Sequence, residues 1–201
     1  NRERIIERMH GNEDDLYITG QAPEDELAVE AFPFAPNPLV VMAPRNHELV
    51  GKKNIPLSKI AEQPFIMREP GSGIRDATLR LFAAKDLRPL VRMELGSNEA
   101  IKHAGVGGLG LSVLSLHTLA LEGPDGPVAI LDVEQFPIRR QWYIVYPKGK
   151  ELSLVARTFL EFAIASEARI RERMMSLWPL LMQQPRTRKK AAARRKKAAT
   201  K

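Results

Sequence analysis

The sequence predicts an α/β protein with a largely parallel sheet, followed by a long C-terminal helix and a disordered basic tail. Three observations predict it. Short apolar runs alternate with amphipathic stretches between residues 64 and 147, the order of strand–helix–strand units. An apolar stripe of helical period then runs Val155, Phe159, Phe162, Ser166, Ile170, Met174, Leu177. Beyond Gln183 the chain has no large apolar side chain to bury.

Taken in order, "NRERIIERMH" puts Ile5, Ile6 and Met9 on one helical face, and "GN" stops that helix. "DLYITG" reads as a short strand, and "PLVVMAP" as one apolar enough to be buried on both faces. "PLSKIAEQ" is a short helix. "PFIMRE" is a strand, "IRDATLRLFAAKD" a helix and "VRMEL" a strand. "SNEAIKHAGVG" follows as a helix with Ser97 at its N-cap. "LGLSVLS" is a strand, "SLHTLALE" a helix, and "VAILDV" and "RRQWYIVYP" strands. The last helix starts near Ser153, and "WPLL" ends it at Pro179. No internal repeat is present.

A composition of 44% hydrophobic and 27% charged residues is that of a globular chain. With no cysteine there is no disulfide framework and no thiolate chemistry, and a reducing compartment is expected. No run approaches the roughly 18 apolar residues of a membrane helix. The chain opens without a methionine and reads as a piece of a longer one. Its net charge of +7 belongs to the tail. Nine of the 31 Lys and Arg follow Gln183, leaving 22 against 24 Asp and Glu, a balance of −2 for the rest. Arg186, Arg188, Lys189, Lys190, Arg194, Arg195, Lys196 and Lys197 could grip nucleic-acid phosphates, or simply solvate the terminus.

The stretch "REPGSGIR" ends a strand in a Gly-Ser-Gly turn and opens a helix. Such a turn can offer the N–H groups of Ser72, Gly73 and Ile74, the Ser72 hydroxyl and a guanidinium from Arg68 or Arg75 to an anion. The same residues also suit an ordinary strand-to-helix turn. "GSNEAI" repeats the arrangement one unit later, where Ser97 can equally be a plain cap. Two helix starts after neighbouring parallel strands face one crevice, where open α/β sheets hold ligands. "GVGGLG", Gly105 to Gly110, has the letters of a dinucleotide fingerprint but follows a helix and opens a strand. It is read as a helix stop and a close-packed strand entry. His10, His47, His103 and His117 have no metal-ligand spacing, and no catalytic motif is present.

The order "DLYITG", "PLVVMAPRNHEL", "REPGSGIR", "MELGSNEAIK", "RRQWYIVYPKG" resembles the effector-binding domain of LysR-type transcriptional regulators, and is most similar to the Calvin-cycle subgroup, CbbR. The resemblance runs from Arg4 to about Ala163. It implies two Rossmann-like lobes joined by two crossover strands, as in type-2 periplasmic binding proteins. Lobe I would be residues 1–43 with 143–165, lobe II 44–142, with crossings at "VVMAP" and "WYIVYP"; residues 166–182 would be a helical extension and 183–201 the tail. It further implies a small anionic metabolite between the lobes: a sugar phosphate, a phosphorylated acid or a nucleotide. Its contacts would be Thr19 and Gly20 from lobe I, and Arg68, Ser72, Gly73, Ile74, Arg75, Ser97 and Asn98 from lobe II. Promoter DNA would be bound by a winged helix-turn-helix that, like the family's first strand and its Ser/Thr turn, would precede Asn1. A homodimer, tetrameric in the full-length protein, a cytoplasmic, nucleoid-associated location, and no cofactor, metal or enzymatic activity complete the expectation. A solute-binding or enzymatic protein of the same fold is the alternative.

Overall fold

The computed structural model describes residues 1–22 and 27–182. The basic tail and its eight named cations lie outside the described residues.

One sheet holds β1 (Tyr17–Thr19), β2 (Val29–Pro36) and β8 (Gln141–Pro147) in the order β1-β8-β2. Both pairs are antiparallel. Helix α1 (Arg2–His10) packs Met9 against Tyr17 and Val145 on one face of this sheet. Helix α5 (Leu154–Ala165) packs Leu160 and Ala163 against Ile144 on the other.

The second sheet is built around β3 (Leu39–Pro44), flanked antiparallel by β6 (Ser112–Ser115) and β7 (Val128–Ile130). Strands β4 (Pro64–Arg68) and β5 (Leu90–Leu95) are parallel and join β6 through a parallel bridge, Phe65 to Leu111. Strand β3 is buried on both faces, as its unbroken apolar sequence requires. Leu39, Val41 and Ala43 enter one core with Phe65 and Phe82. Val40 and Met42 enter another with Ile66, Ile101 and Leu114. Helices α2 (Leu57–Ala61) and α3 (Gly73–Ala83) serve the first core, α4 (Asn98–Val106) the second.

The structure departs from the sequence reading in five places. The first sheet is antiparallel and the second mixed, rather than largely parallel, because the strands on either side of each crossing reverse direction against their neighbours. Strand β2 was not anticipated: Pro33 and Pro36 argue against a strand, yet β2 is an edge strand with an irregular register at Pro33, where a missing donor costs little. The chain passes between sheets at Asn37 and Pro38 and returns just before Gln141, so all of "VVMAP" lies in the second sheet. The "SLHTLALE" stretch makes only a 3₁₀ turn, Leu116–Leu119.

The fifth departure is the last helix, which divides at Ser166 into α5 and α6 (Glu167–Leu177), followed by α7 (Pro179–Met182). Helix α5 buries the stripe beside the expected one, Ala156, Leu160 and Ala163; Val155 and Phe162 stay 79% and 60% exposed. Past the break, Met174 and Trp178 turn into the second lobe's core.

"GVGGLG" terminates α4 and enters β6, as read from the sequence. Gly110 has φ +155°, and a Cβ there would sit 2.5 Å from the Pro64 carbonyl oxygen. The glycine allows Leu111 to exchange backbone hydrogen bonds with Pro64 and Ile66.

Candidate functional site

Strands β4 and β5 are neighbours, so the helices that follow them, α3 and α4, begin side by side. Ser72 is the N-cap of α3, 2% exposed, and its side chain makes no capping hydrogen bond. A withdrawn hydroxyl at a helix start, with the orphan N–H groups of the first turn beside it, is an acceptor and donor set for an anion. Ile74 turns its side chain toward the core under α3 and leaves only its backbone at the turn. Gly71, φ +78°, makes the tight bend before Ser72.

The second turn is used differently. Ser97 is exposed, and its hydroxyl accepts from Ala100 N at 3.3 Å as a plain cap. Asn98 Oδ1 accepts from Arg68 Nη1 at 2.6 Å, which ties the two turns together. The rest of the Arg68 guanidinium donates to both oxygens of Glu69, at 2.7 and 2.9 Å. That pairing holds the Glu69 carboxyl below the usual carboxylate range against the opposing effect of burial. Arg75 Nη1 donates to the Arg68 carbonyl and to Glu94 on β5, at 2.8 and 2.5 Å. The structure thus gathers Ser72, Gly73, Ile74, Arg68 and Asn98 at one place, commits Ser97 to its own helix, and directs Arg75 toward β5.

Gly20 approaches this place from the first lobe, with Thr19 beside it in the chain. Thr19 is buried and donates to the Gln21 carbonyl at 3.0 Å. The link across the gap is a residue the sequence reading passed over. Arg140, just before β8, donates from Nε to the Gly20 carbonyl at 3.0 Å and from Nη1 to the Gly73 carbonyl at 2.8 Å. A Cβ on Gly20 would lie 2.7 Å from Arg140 Nη2 and 3.1 Å from Asn37 Nδ2, so glycine permits the approach. Among the described residues no carboxylate forms an ion pair with Arg140. Burial lowers its affinity for the proton, and the nearby charges of Arg80 and Arg2 add to the effect, with Asp76 partly opposing. The cleft beside it has a volume near 430 Å³ and is lined by Gly20, Gln21, Ala77, Arg80, Arg140 and Tyr143, among others. Among the described residues its lining carries two guanidiniums and no acid. Nothing in "RRQWYIVYP" distinguishes Arg140 from Arg139; the tertiary approach of Gly20 and Gly73 does.

Among the described residues no group of His, Asp and Glu could hold a metal, and no helix is long and apolar enough to cross a membrane.

The model of the LysR substrate binding domain matches residues 1–168. The chain belongs to that family. Its LysR relatives are transcription regulators rather than enzymes. The chain is 51% identical over 167 residues to the transcriptional activator CmpR of Synechocystis sp., covering 83% of this chain and 55% of that protein. It is 48% identical over 168 residues to a RuBisCO operon transcriptional regulator of Acidithiobacillus ferrooxidans, covering 84% and 54%. It thus spans about half the length of the curated relatives it matches. The regulatory domain of Synechocystis PCC6803 CcmR, solved with 2-PG, superposes with a TM-score of 0.79 at 50% identity over 83% of this chain and 80% of that one. The two-lobe LysR fold is therefore the fold of this chain.

Proposed function

We propose that this LysR chain is the effector-sensing part of a regulator of carbon-fixation genes, and that a small phosphorylated anion closes its interlobe cleft. The observation that carries the reading is Arg140, a partly buried guanidinium that pairs with no carboxylate among the described residues, spanning Gly20 of one lobe and Gly73 of the other. An anion there meets the Ser72 hydroxyl, which does not cap its own helix, the first N–H groups of α3 and Arg140 at once. It makes all of these contacts only when the lobes are together, and that difference in affinity is what shifts the equilibrium. Thr19, Gly20, Ser72, Gly73, Ile74 and Arg140 form the contact set in this reading; Arg68 and Asn98 hold the two turns in place.

The carbon-fixation setting is supported by the names of the relatives, and the ligand class by the 2-PG bound to CcmR. In the whole regulator, promoter DNA would be bound by a separate domain, the chains would pair as dimers, and the protein would work in the cytoplasm at the nucleoid.

Calorimetry of the 201-residue chain with 2-phosphoglycolate tests the reading. Saturable binding near one per chain, weakened at least fivefold by Ser72→Ala, is expected. Absence of heat with 2-phosphoglycolate, sugar bisphosphates and nucleotides alike would overturn it.

A further inference from the structure

The family match ends at residue 168, but helical structure continues through Met182. Helix α6 leaves the first lobe, passes over β2 and delivers its end to the second. At Trp178 the helix stops, with φ −136° and ψ 67°, and the indole turns inward to 6% exposure. Met174 and Trp178 settle among Val40, Leu119 and Val128.

The joint is not filled. Between this extension and the second lobe lies a cavity of about 600 Å³, within the roughly 300–1,000 Å³ of small-molecule sites. Its floor is Val40, Leu119, Ile130 and Leu131, and its roof is Leu177, Trp178 and Leu181. It shares no residue with the interlobe cleft. The space is open to solvent on one side, so a small molecule could enter it without displacing the core.

The charged residues of the lining fix the ligand's sign. Arg45 donates from Nε to the Gly126 carbonyl and from Nη2 to those of Pro124 and Val128, which stiffens the loop forming one wall. Among the described residues no carboxylate forms an ion pair with Arg45. Lys53 stands at the mouth, 3.7 Å from Asp132, the one acid of the lining. Two cations against one carboxylate leave a positive mouth over an apolar interior.

We propose that this cavity is a second ligand site, separate from the cleft, for a small, mainly apolar molecule bearing one anionic group, such as an aromatic or aliphatic carboxylate or sulfonate. The apolar body would replace water against the aliphatic floor and Trp178, and the anion would sit between Arg45 and Lys53.

The test uses 8-anilinonaphthalene-1-sulfonate as the probe on the 201-residue chain. Saturable fluorescence with one site per chain is expected. Ile130→Trp, which fills the floor, should abolish the signal. The exposed Lys53→Glu, which leaves the core untouched, should weaken binding about five- to tenfold. Saturating 2-phosphoglycolate should not displace the probe. Probe fluorescence that does not saturate, persists unchanged in both variants, or is competed away by 2-phosphoglycolate overturns the proposal. Binding of 2-phosphoglycolate itself is read separately, so failure of the cleft reading and failure of this one give different results.

Discussion

Replacing Arg140 with methionine keeps most of the apolar stem and removes the charge and both hydrogen bonds, to Gly20 and to Gly73. For effector binding the loss is large. Truncating one partner of a close, desolvated charge pair costs about 2–5 kcal/mol, or roughly 30- to 5,000-fold in Kd at 25 °C. For folding the balance is nearly even. Hydrogen bonds from a charged donor are each worth about 1.5–3 kcal/mol. Against them stand the burial of an unpaired cation and the repulsion from Arg80 and Arg2, which already depress its proton affinity. Gly20, which bears one of the two carbonyls, also borders a cleft that water can enter. Arg140→Met should therefore change the unfolding free energy by no more than about 1 kcal/mol while nearly abolishing anion binding. Calorimetry with 2-phosphoglycolate and urea unfolding without ligand measure the two quantities. An affinity within threefold of the parent, or a stability loss above about 3 kcal/mol, refutes the reasoning and makes Arg140 a structural strut.

Three other outcomes follow from the same structure. Gly110→Ala places a Cβ against the Pro64 carbonyl at a positive φ and should cost about 2–4 kcal/mol in urea unfolding, with reduced yield of folded chain. Lys102 is buried on α4 between Glu99 and Glu122; Lys102→Met strands Glu122, itself a quarter exposed, and should cost about 1–3 kcal/mol. Arg8 donates two hydrogen bonds to Asp14, at 2.7 and 2.6 Å, and these hold the Asp14 carboxyl below its usual range, with burial opposing. A carboxyl depressed in the folded state adds stability above its unfolded pKa of about 3.9, and that contribution disappears as pH falls through the folded value. Asp14→Asn should flatten the acid limb of a urea-midpoint-against-pH curve, and an unchanged limb would show that Asp14 does not contribute to it.

Much of the fold was legible because burial leaves a pattern in composition. Strand β3 is apolar at all but its last position, β4 nearly so, and α3 and α4 each follow a polar turn with a serine at the cap. Strand direction was not legible, since β3 and β8 would read the same in either orientation, and only the crossings at Asn37 and Arg140 decide it. Strand β2 hid behind prolines that an edge tolerates. On α5 two apolar stripes adjoin, 155–159–162 and 156–160–163, and small Ala156 and Ala163 were passed over although they let the helix approach its sheet. At the site, Ser72 and Gly73 were marked by a turn motif that has a local cause. Arg140 acts through residues 67 and 120 positions away in the chain, and no local pattern records such a meeting.

The kink at Ser166 has a mechanical consequence. Two tethers would let the halves of the molecule swing like a book on its spine. The helix after Ser166 is a third tether, fixed to the first half through α5 and plugged into the second by Met174 and Trp178. A wide gape would have to draw the indole from its socket, so this third tether opposes opening at a place remote from the cleft.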